Sequence, residues 1–220
     1  MAKLFGTNGV RGVFGEDLTL DFISKITLSL ASFFKKGPIL VGYDGRESSI
    51  IISKVVTAAL SSSGIDSAVC GIVPTPCLQF ATRQLGYNGG IMITASHNPP
   101  QYNGLKVIAK DGIEISREDE LKVEEFYFAK KWKFSDKFGS ISKESNAVNT
   151  YISGIKDRVD VRKIKSQNLK IVGGSELCRS ASGAAFTREG QKMTRNRRAR
   201  RFCSVCATES KGVNFQNRQA

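Results

Sequence analysis

With 220 residues, 40% of them hydrophobic and 24% charged, the chain has material for one large domain, or for one domain and part of another. No apolar run approaches a membrane span, and Met1-Ala2-Lys3-Leu4-Phe5-Gly6 lacks the apolar core of a signal peptide, so no membrane partner is expected. The net charge of +13 would ordinarily point to nucleic acid, but residues 173–220 hold ten Lys or Arg against three Asp or Glu, while the other 172 carry 23 against 17.

Residues 1 to about 130 alternate strand-like and helix-like segments, the pattern of an α/β layer fold. A glycine-bearing loop, Gly6-Thr7-Asn8-Gly9-Val10-Arg11-Gly12, comes first. Phe22, Ile23, Ile26, Leu30, Phe33 and Phe34 recur at helical spacing, and Gly37-Pro38 stops that helix. Ile39-Leu40-Val41-Gly42-Tyr43 reads as a short buried strand ending at Asp44-Gly45-Arg46. Ser48 or Ser49 is expected to cap a second helix, whose Ile51, Ile52, Val55, Val56, Ala59 and Leu60 face the sheet. Ser67 to Val73 reads as a strand, followed by Pro74-Thr75-Pro76 and a helix through Leu85.

Gly89-Gly90-Ile91-Met92-Ile93 is the next buried strand, and it runs into Thr94-Ala95-Ser96-His97-Asn98-Pro99. Pro99-Pro100 forbids continuation as strand. A serine therefore sits beside the chain's single histidine where a strand of an α/β sheet ends, which is where ligands of open α/β sheets bind. By itself the pair reads as a polar turn. Gly104 to Ile108 is a further strand, Asp111-Gly112 turns into Ile113-Glu114-Ile115, and 117–130 forms a charged helix. Residues 131–147 read as a link across the surface, 148–158 as a helix, and Leu169-Lys170-Ile171-Val172 as a strand beginning a second domain.

Beyond Val172 the character changes: one leucine, no isoleucine and no proline follow, whereas the first 172 residues contain eighteen isoleucines. The run Arg195-Asn196-Arg197-Arg198-Ala199-Arg200-Arg201 has no apolar period around it, so disorder is expected. Five scattered cysteines, Cys70, Cys77, Cys178, Cys203 and Cys206, fit a reducing, cytoplasmic setting. Cys203-Ser204-Val205-Cys206 has redox or zinc spacing, but no second pair accompanies it.

Four loops stand at successive element ends: Gly6 to Gly12, Asp44-Gly45-Arg46, Thr94 to Pro99, and Tyr102-Asn103-Gly104-Leu105-Lys106. Each has a plain explanation alone. Alone, the glycines read as turn residues, Asp44 and Arg46 as a helix cap and its ion pair, and Lys106 as a solvated lysine of an edge strand. Jointly and in this order, over residues 3 to about 172, they resemble the phosphohexomutase superfamily of phosphoglucomutases, phosphomannomutases and phosphoglucosamine mutases.

The resemblance implies that Ser96 carries a phosphoryl group, passes it to a hexose monophosphate and recovers phosphate from the other end of the bisphosphate intermediate. A phosphoserine suits this because it is stable to water yet transferable once its charge is neutralised. It also implies Mg2+, with Ser96 as a metal ligand through its phosphate, and hexose 1,6-bisphosphate as activator. By the same resemblance His97 hydrogen-bonds near the transferring group and Asn98 holds the loop. Lys106 is a general acid or base, and Arg11 a phosphate clamp. Arg46 orders the site from behind, and Thr7, Asn8, Gly9 and Asn103 belong to the substrate and phosphate loops. At Asn8 the family more often has an acid. A Ser-His hydrolase would want an orienting acid and a G-x-S-x-G elbow, and neither accompanies Ser96.

The expected fold is α/β, a mixed sheet sandwiched between helices. An N-terminal domain over 1–147 would be followed by the start of a second domain over 148–172 and a basic, disordered tail over 173–220. The family is built from four domains, and its aspartate-rich metal loop, its sugar-discriminating loop and its Arg-Ser-Gly-Thr region have no counterpart in this sequence. The isolated chain is therefore expected to be an inactive fragment, exposing a helix and strand over 150–172.

Gly174 to Ala181 can be encoded so that reading one base later gives Asp-Pro-Asn-Cys-Val-Gly-Ala, which resembles the family's continuation. A frame change near Gly173 is expected on that ground. Two other functions stand beside it: a basic tail binding nucleic acid or an anionic surface, disfavoured for want of amphipathic period and interleaved aromatics, and a regulatory phosphoserine decoy. The sequence does not choose among glucose, mannose and glucosamine phosphates.

Overall fold

The computed structural model describes residues 4–6, 9–132 and 134–167. Its elements in chain order are β1 (Val10–Val13), α1 (Leu20–Phe34), β2 (Ile39–Tyr43), α2 (Glu47–Ser62), β3 (Ser67–Ile72) and α3 (Thr75–Gln84). They continue with β4 (Gly89–Ile93), β5 (Tyr102–Ala109), α4 (Arg117–Phe128), β6 (Ile141–Lys143), α5 (Ala147–Lys156) and α6 (Val161–Ser166). One six-stranded sheet runs in the order β1-β5-β4-β2-β3-β6. β2 pairs parallel with β3 and β4, and β6 parallel with β3, while β5 is antiparallel to both β4 and β1. The sheet is mixed and covered on both faces, as the pattern of buried apolar strands requires.

Alternation along each strand divides the core in two. Ile39, Val41, Ile91, Ile93, Leu105 and Val107 pack with Ile23, Ile26 and Leu30 of α1, Ile52, Val56 and Leu60 of α2, and Val123 of α4. Leu40, Met92 and Ile108 point the other way and pack with Cys77, Leu78 and Ala81 of α3 and Ala147 of α5. Consecutive apolar residues in β2 and β4 are thus buried on opposite faces.

Helix ends follow local chemistry. Thr19 caps α1 by accepting the Phe22 N–H at 3.1 Å, and Ser116 caps α4 by accepting the Asp119 N–H at 3.2 Å, ahead of three acidic first-turn residues. The cap expected at Ser48 or Ser49 is corrected. Arg46 is the N-cap of α2 and makes no side-chain cap bond, and the Ser49 hydroxyl instead donates to Asp44 Oδ1 at 2.7 Å. Ser48 and Ser49 lie inside the first turn, and the Ser49 oxygen accepts from Asn103 Nδ2 at 2.9 Å.

Within the expected link over 131–147 lies a strand, β6. Its three residues are all exposed, so no apolar alternation marks it in the sequence. Asp66 fixes it: Oδ1 accepts both the backbone N–H and the hydroxyl of Ser140, each at 2.7 Å. Those two bonds hold the Asp66 carboxyl below its ordinary range. The helix expected over 148–158 is α5, and it packs on α3, with Tyr151 edge-on to Phe80 at 5.9 Å and Gly154 leaving room for the Phe80 ring. Part of the surface expected to be exposed is therefore covered, while Val159 and Ile164 remain exposed. The short helix α6 was not expected. The strand at 169–172, the tail at 173–220 and its three cysteines lie outside the described residues.

Candidate functional site

Three chain turns converge where β1, β2, β4 and β5 meet. β4 ends at Ile93, and Ala95 to Asn98 form a turn closed by the Asn98 N–H to the Ala95 carbonyl at 3.1 Å. Ser96 takes φ 57° in that turn, the left-handed region, and its side chain is exposed. For a non-glycine residue that conformation costs on the order of 1–2 kcal/mol. It persists because neighbours over-determine it.

Thr94 and Arg46 supply the determination. The Thr94 hydroxyl accepts the Ser96 N–H at 2.9 Å and donates to Asp44 Oδ2 at 2.8 Å. Arg46 spends all five donors (the Nε–H and the two N–H of each terminal nitrogen) on structure. Nε donates to Asp44 Oδ2 at 3.0 Å, and Nη1 donates to the carbonyls of Pro99 at 2.7 Å and Tyr102 at 3.1 Å. Nη2 donates to the carbonyls of Ser96 at 2.9 Å and Asn98 at 2.8 Å. The guanidinium is the hub around which the serine loop is wound, with no donor left for a ligand.

Arg11 and Lys106 lie on the other wall. In the β1–β5 register Arg11 stands opposite Gly104 and Val10 opposite Leu105, so Arg11, Gly104 and Lys106 share the sheet face opposite Leu105. A Cβ on Gly104 would run into the Val10 carbonyl oxygen and stand 2.9 Å from Arg11 Cγ. The bare glycine lets the Arg11 chain cross β5 toward the loop, where Nη1 donates to Asn98 Oδ1 at 3.3 Å. Arg11 Nε is buried with no partner among the described residues. Lys106 Nζ donates to Glu114 Oε1 at 2.7 Å. β5 lies between β1 and β4, so Lys106 is on an interior strand and the edge-strand alternative is set aside.

Of the remaining expected residues, His97 is exposed, with Nδ1 3.5 Å from Ser96 Oγ. Gly9, at φ 81°, turns where a Cβ would strike the Leu105 carbonyl. Asn103 is fully buried: Nδ2 donates to Ser48 Oγ at 2.8 Å and Ser49 Oγ at 2.9 Å, and Oδ1 accepts the Gly104 N–H at 2.8 Å. It ties β5 to the start of α2 and does not line the loop. Thr7 and Asn8 lie outside the described residues.

The sequence placed Thr94, Asp44 and Gly104 in the loops of the resemblance without giving them a role in the site, and Glu114 lay outside those loops. Thr94 had a signal, a hydroxyl two residues before the serine in a turn. Glu114 had none, since the Asp111-Gly112 turn alone brings it back to Lys106.

The described side chains alone do not assemble a magnesium site. Among the described residues no three His, Cys, Asp or Glu side chains cluster as ligands. Asp44, the carboxylate nearest the serine loop in the bonding network, already accepts from Ser49, Thr94 and twice from Arg46. Elsewhere, burial pushes the Cys70 thiol up to about 12 and the Cys77 thiol up to about 11, and burial with Glu144 raises Tyr87. No described helix is long and apolar enough to cross a membrane.

The family described as phosphoglucomutase/phosphomannomutase, alpha/beta/alpha domain I, matches residues 2–134. A phosphoglucosamine/phosphogalactosamine mutase of Sulfurisphaera tokodaii is 43% identical over 176 residues, covering 78% of this chain and 39% of that protein. A phosphoglucomutase/phosphomannomutase of Thermococcus kodakarensis is 38% identical over 182 residues, with the same shares of 78% and 39%. Among solved structures, a Burkholderia thailandensis protein of the phosphoglucomutase/phosphomannomutase family superposes with TM-score 0.60 at 25% identity, over 69% of this chain and 35% of its own. The chain spans about two fifths of the length of the curated relatives it matches.

Proposed function

The chain belongs to the phosphoglucomutase/phosphomannomutase family, and on that premise we propose that Ser96 is a phosphoryl carrier for a hexose phosphate. The observation carrying this reading is the posture of Ser96: an exposed hydroxyl on a strained turn, with its backbone gripped by Thr94 and Arg46. A fixed nucleophile loses little freedom on reaching the transition state.

In the reaction proposed, a hydroxyl of a hexose monophosphate attacks the phosphorus carried on Ser96. The new P–O bond forms as the P–Oγ bond breaks, and the proton of the sugar hydroxyl ends on Ser96 Oγ. The reverse step, using the phosphate at the other end of the bisphosphate, restores the carrier. Charge builds on the phosphoryl oxygens in between. Arg11 supports a clamp on them, with one buried nitrogen unpaired and another shared with Asn98. Lys106 serves as cation and proton shuttle, and His97 as a donor beside Oγ. Hexose 1,6-bisphosphate would load the serine. A cytoplasmic setting, with Cys70 and Cys77 as free thiols, belongs to the same reading.

Isomerisation also needs groups that hold and select the sugar, and the described residues supply none that our reading can assign to that role. We therefore propose that this chain takes up phosphate on Ser96 without converting hexose 1-phosphate to 6-phosphate. A mutase assay on this chain beside one extended in the family's downstream frame tests it. Conversion by the extended chain and none by its Ser96→Ala variant is expected. Equal conversion by that variant overturns the assignment of Ser96.

A further inference from the structure

Glu114 stands outside every motif that the sequence offered, yet its carboxylate is 2.7 Å from Lys106 Nζ. Lys106 is only 12% exposed and Glu114 32%. The segment carrying Glu114 is tightly built. The Gly112 N–H donates to the Ala109 carbonyl at 3.0 Å, the Ile113 N–H to Asp111 Oδ1 at 2.9 Å, and the Ala109 N–H to the Ile113 carbonyl at 2.7 Å. The Ile115 N–H then donates to the Val107 carbonyl at 3.0 Å, and Ile108 bridges to Glu114 itself. Gly112, at φ 86°, lies so close to α3 that a Cβ would stand 2.5 Å from the Gln79 carbonyl oxygen. This return segment is therefore clamped to the sheet and to α3, and it presents a carboxylate at a fixed place.

The groups around Lys106 leave that carboxylate as its counter-ion. On the β1 side its neighbour is Gly9, which has no side chain and where a Cβ would stand 3.2 Å from Lys106 Cα, and across β4 the register places Met92. Arg11, on the same face, is a second cation turned toward Asn98. Asp44 is committed to Arg46, Ser49 and Thr94. His97 stands at Ser96, and Arg83 of α3, whose Cβ would lie 3.4 Å from a Cβ placed on Gly112, makes no ion pair to Glu114 among the described residues. Among the described residues Glu114 is the sole carboxylate paired with Lys106.

We infer that Glu114 is the positioning residue of Lys106: clamped between β5 and α3, it holds the lysine ammonium in place on the face shared with Arg11. The inference rests on the phosphoryl-carrier reading for what Lys106 then does, but the anchoring itself does not. In that reading the ammonium gives its proton to Ser96 Oγ as the P–Oγ bond breaks and regains one from the sugar hydroxyl, so Lys106 ends unchanged and Glu114 remains a carboxylate.

Two measurements separate the inference from its premise. The first is the rate at which acetic anhydride acetylates Lys106 in the full chain, resolved by peptide mass spectrometry, for wild type, Glu114→Gln and Glu114→Asp. A charge-assisted hydrogen bond of this kind is expected to slow acetylation roughly tenfold relative to Glu114→Gln. Glu114→Asp, a carboxylate on a shorter arm, should fall between them, while Lys54, remote in α2, reacts alike in all three. Equal Lys106 rates in wild type and Glu114→Gln overturn the inference, and unchanged far-ultraviolet circular dichroism guards against misfolding.

The second measurement is Ser96 phosphorylation from glucose 1,6-bisphosphate across pH. A slower rate and an altered pH profile in Glu114→Gln, partly rescued by Glu114→Asp, are expected. A profile identical to wild type in rate and shape overturns the inference. No phosphate on wild-type Ser96 removes the carrier reading, and the acetylation result then still decides the anchoring.

Discussion

The Thr94 hydroxyl donates to Asp44 Oδ2 at 2.8 Å and in the same posture accepts the Ser96 N–H at 2.9 Å. One hydroxyl thus connects the end of β2 to the strained turn after β4. Thr94 is 5% exposed, so water has little access to replace either bond.

Thr94→Val keeps the shape and removes both bonds. A buried acceptor and donor left unpaired cost about 1–3 kcal/mol. Urea unfolding should show a loss in that range with an unchanged slope, and Ser96 phosphorylation should slow more than overall stability explains. A phosphorylation rate equal to wild type would contradict the role given to this hydroxyl.

Arg46→Lys retains the charge and loses the fork that reaches the carbonyls of Ser96, Asn98, Pro99 and Tyr102. Amide exchange over 95–103 should accelerate by roughly tenfold or more, since each lost bond to a charged donor is worth about 1.5–3 kcal/mol. The core strand β2 should exchange as before. Uniform acceleration throughout the sheet would mean that Arg46 supports global stability and not this loop.

Gly104→Ala places a methyl against the Val10 carbonyl and 2.9 Å from Arg11 Cγ. The expected cost is about 1–3 kcal/mol, as for other overpacked sites, together with displacement of Arg11 from Asn98. Ser96 phosphorylation should fall in Gly104→Ala, whereas Gly86→Ala, strained only by its φ of 75° with open space around it, should lower stability and leave that rate unchanged.

How much of this was legible beforehand follows from range. The strand before Ser96, the helix of Phe22 to Phe34 and the mixed α/β class could be read because runs and periods are local. The four carbonyl partners of Arg46 could not, since they lie 50 to 56 residues away and every residue carries a backbone carbonyl. β6 was hidden because its pairing rests on Asp66 and Ser140, with no apolar side chain facing in. The Ser48 or Ser49 cap failed because α2 already begins at Glu47, and the Ser49 oxygen accepts from Asn103 of β5 instead of from a helix N–H. Asn103 was assigned to the substrate and phosphate loops by the family resemblance, and strand alternation puts it on the face opposite Lys106, bonded to Ser48 and Ser49.

Cys70 and Cys77 carry a pH signature. Burial raises these thiols from an ordinary 9.0 to about 12 and about 11. Since the folded state holds their protons more tightly, the stability they contribute is complete below about 9 and is lost as pH rises toward 11 and 12. Denaturation midpoints should therefore decline over that window, and less steeply in a Cys70→Ala/Cys77→Ala chain. At pH 8, iodoacetamide should label both sites much more slowly in the native protein than in urea.

The most direct measurement is site-resolved mass spectrometry of this chain after incubation with glucose 1,6-bisphosphate and magnesium. The expected result is a single added phosphoryl group on Ser96, absent from Ser96→Ala. No phosphate on Ser96, or the same phosphate gained by Ser96→Ala, would contradict the assignment of this loop as a phosphoryl carrier.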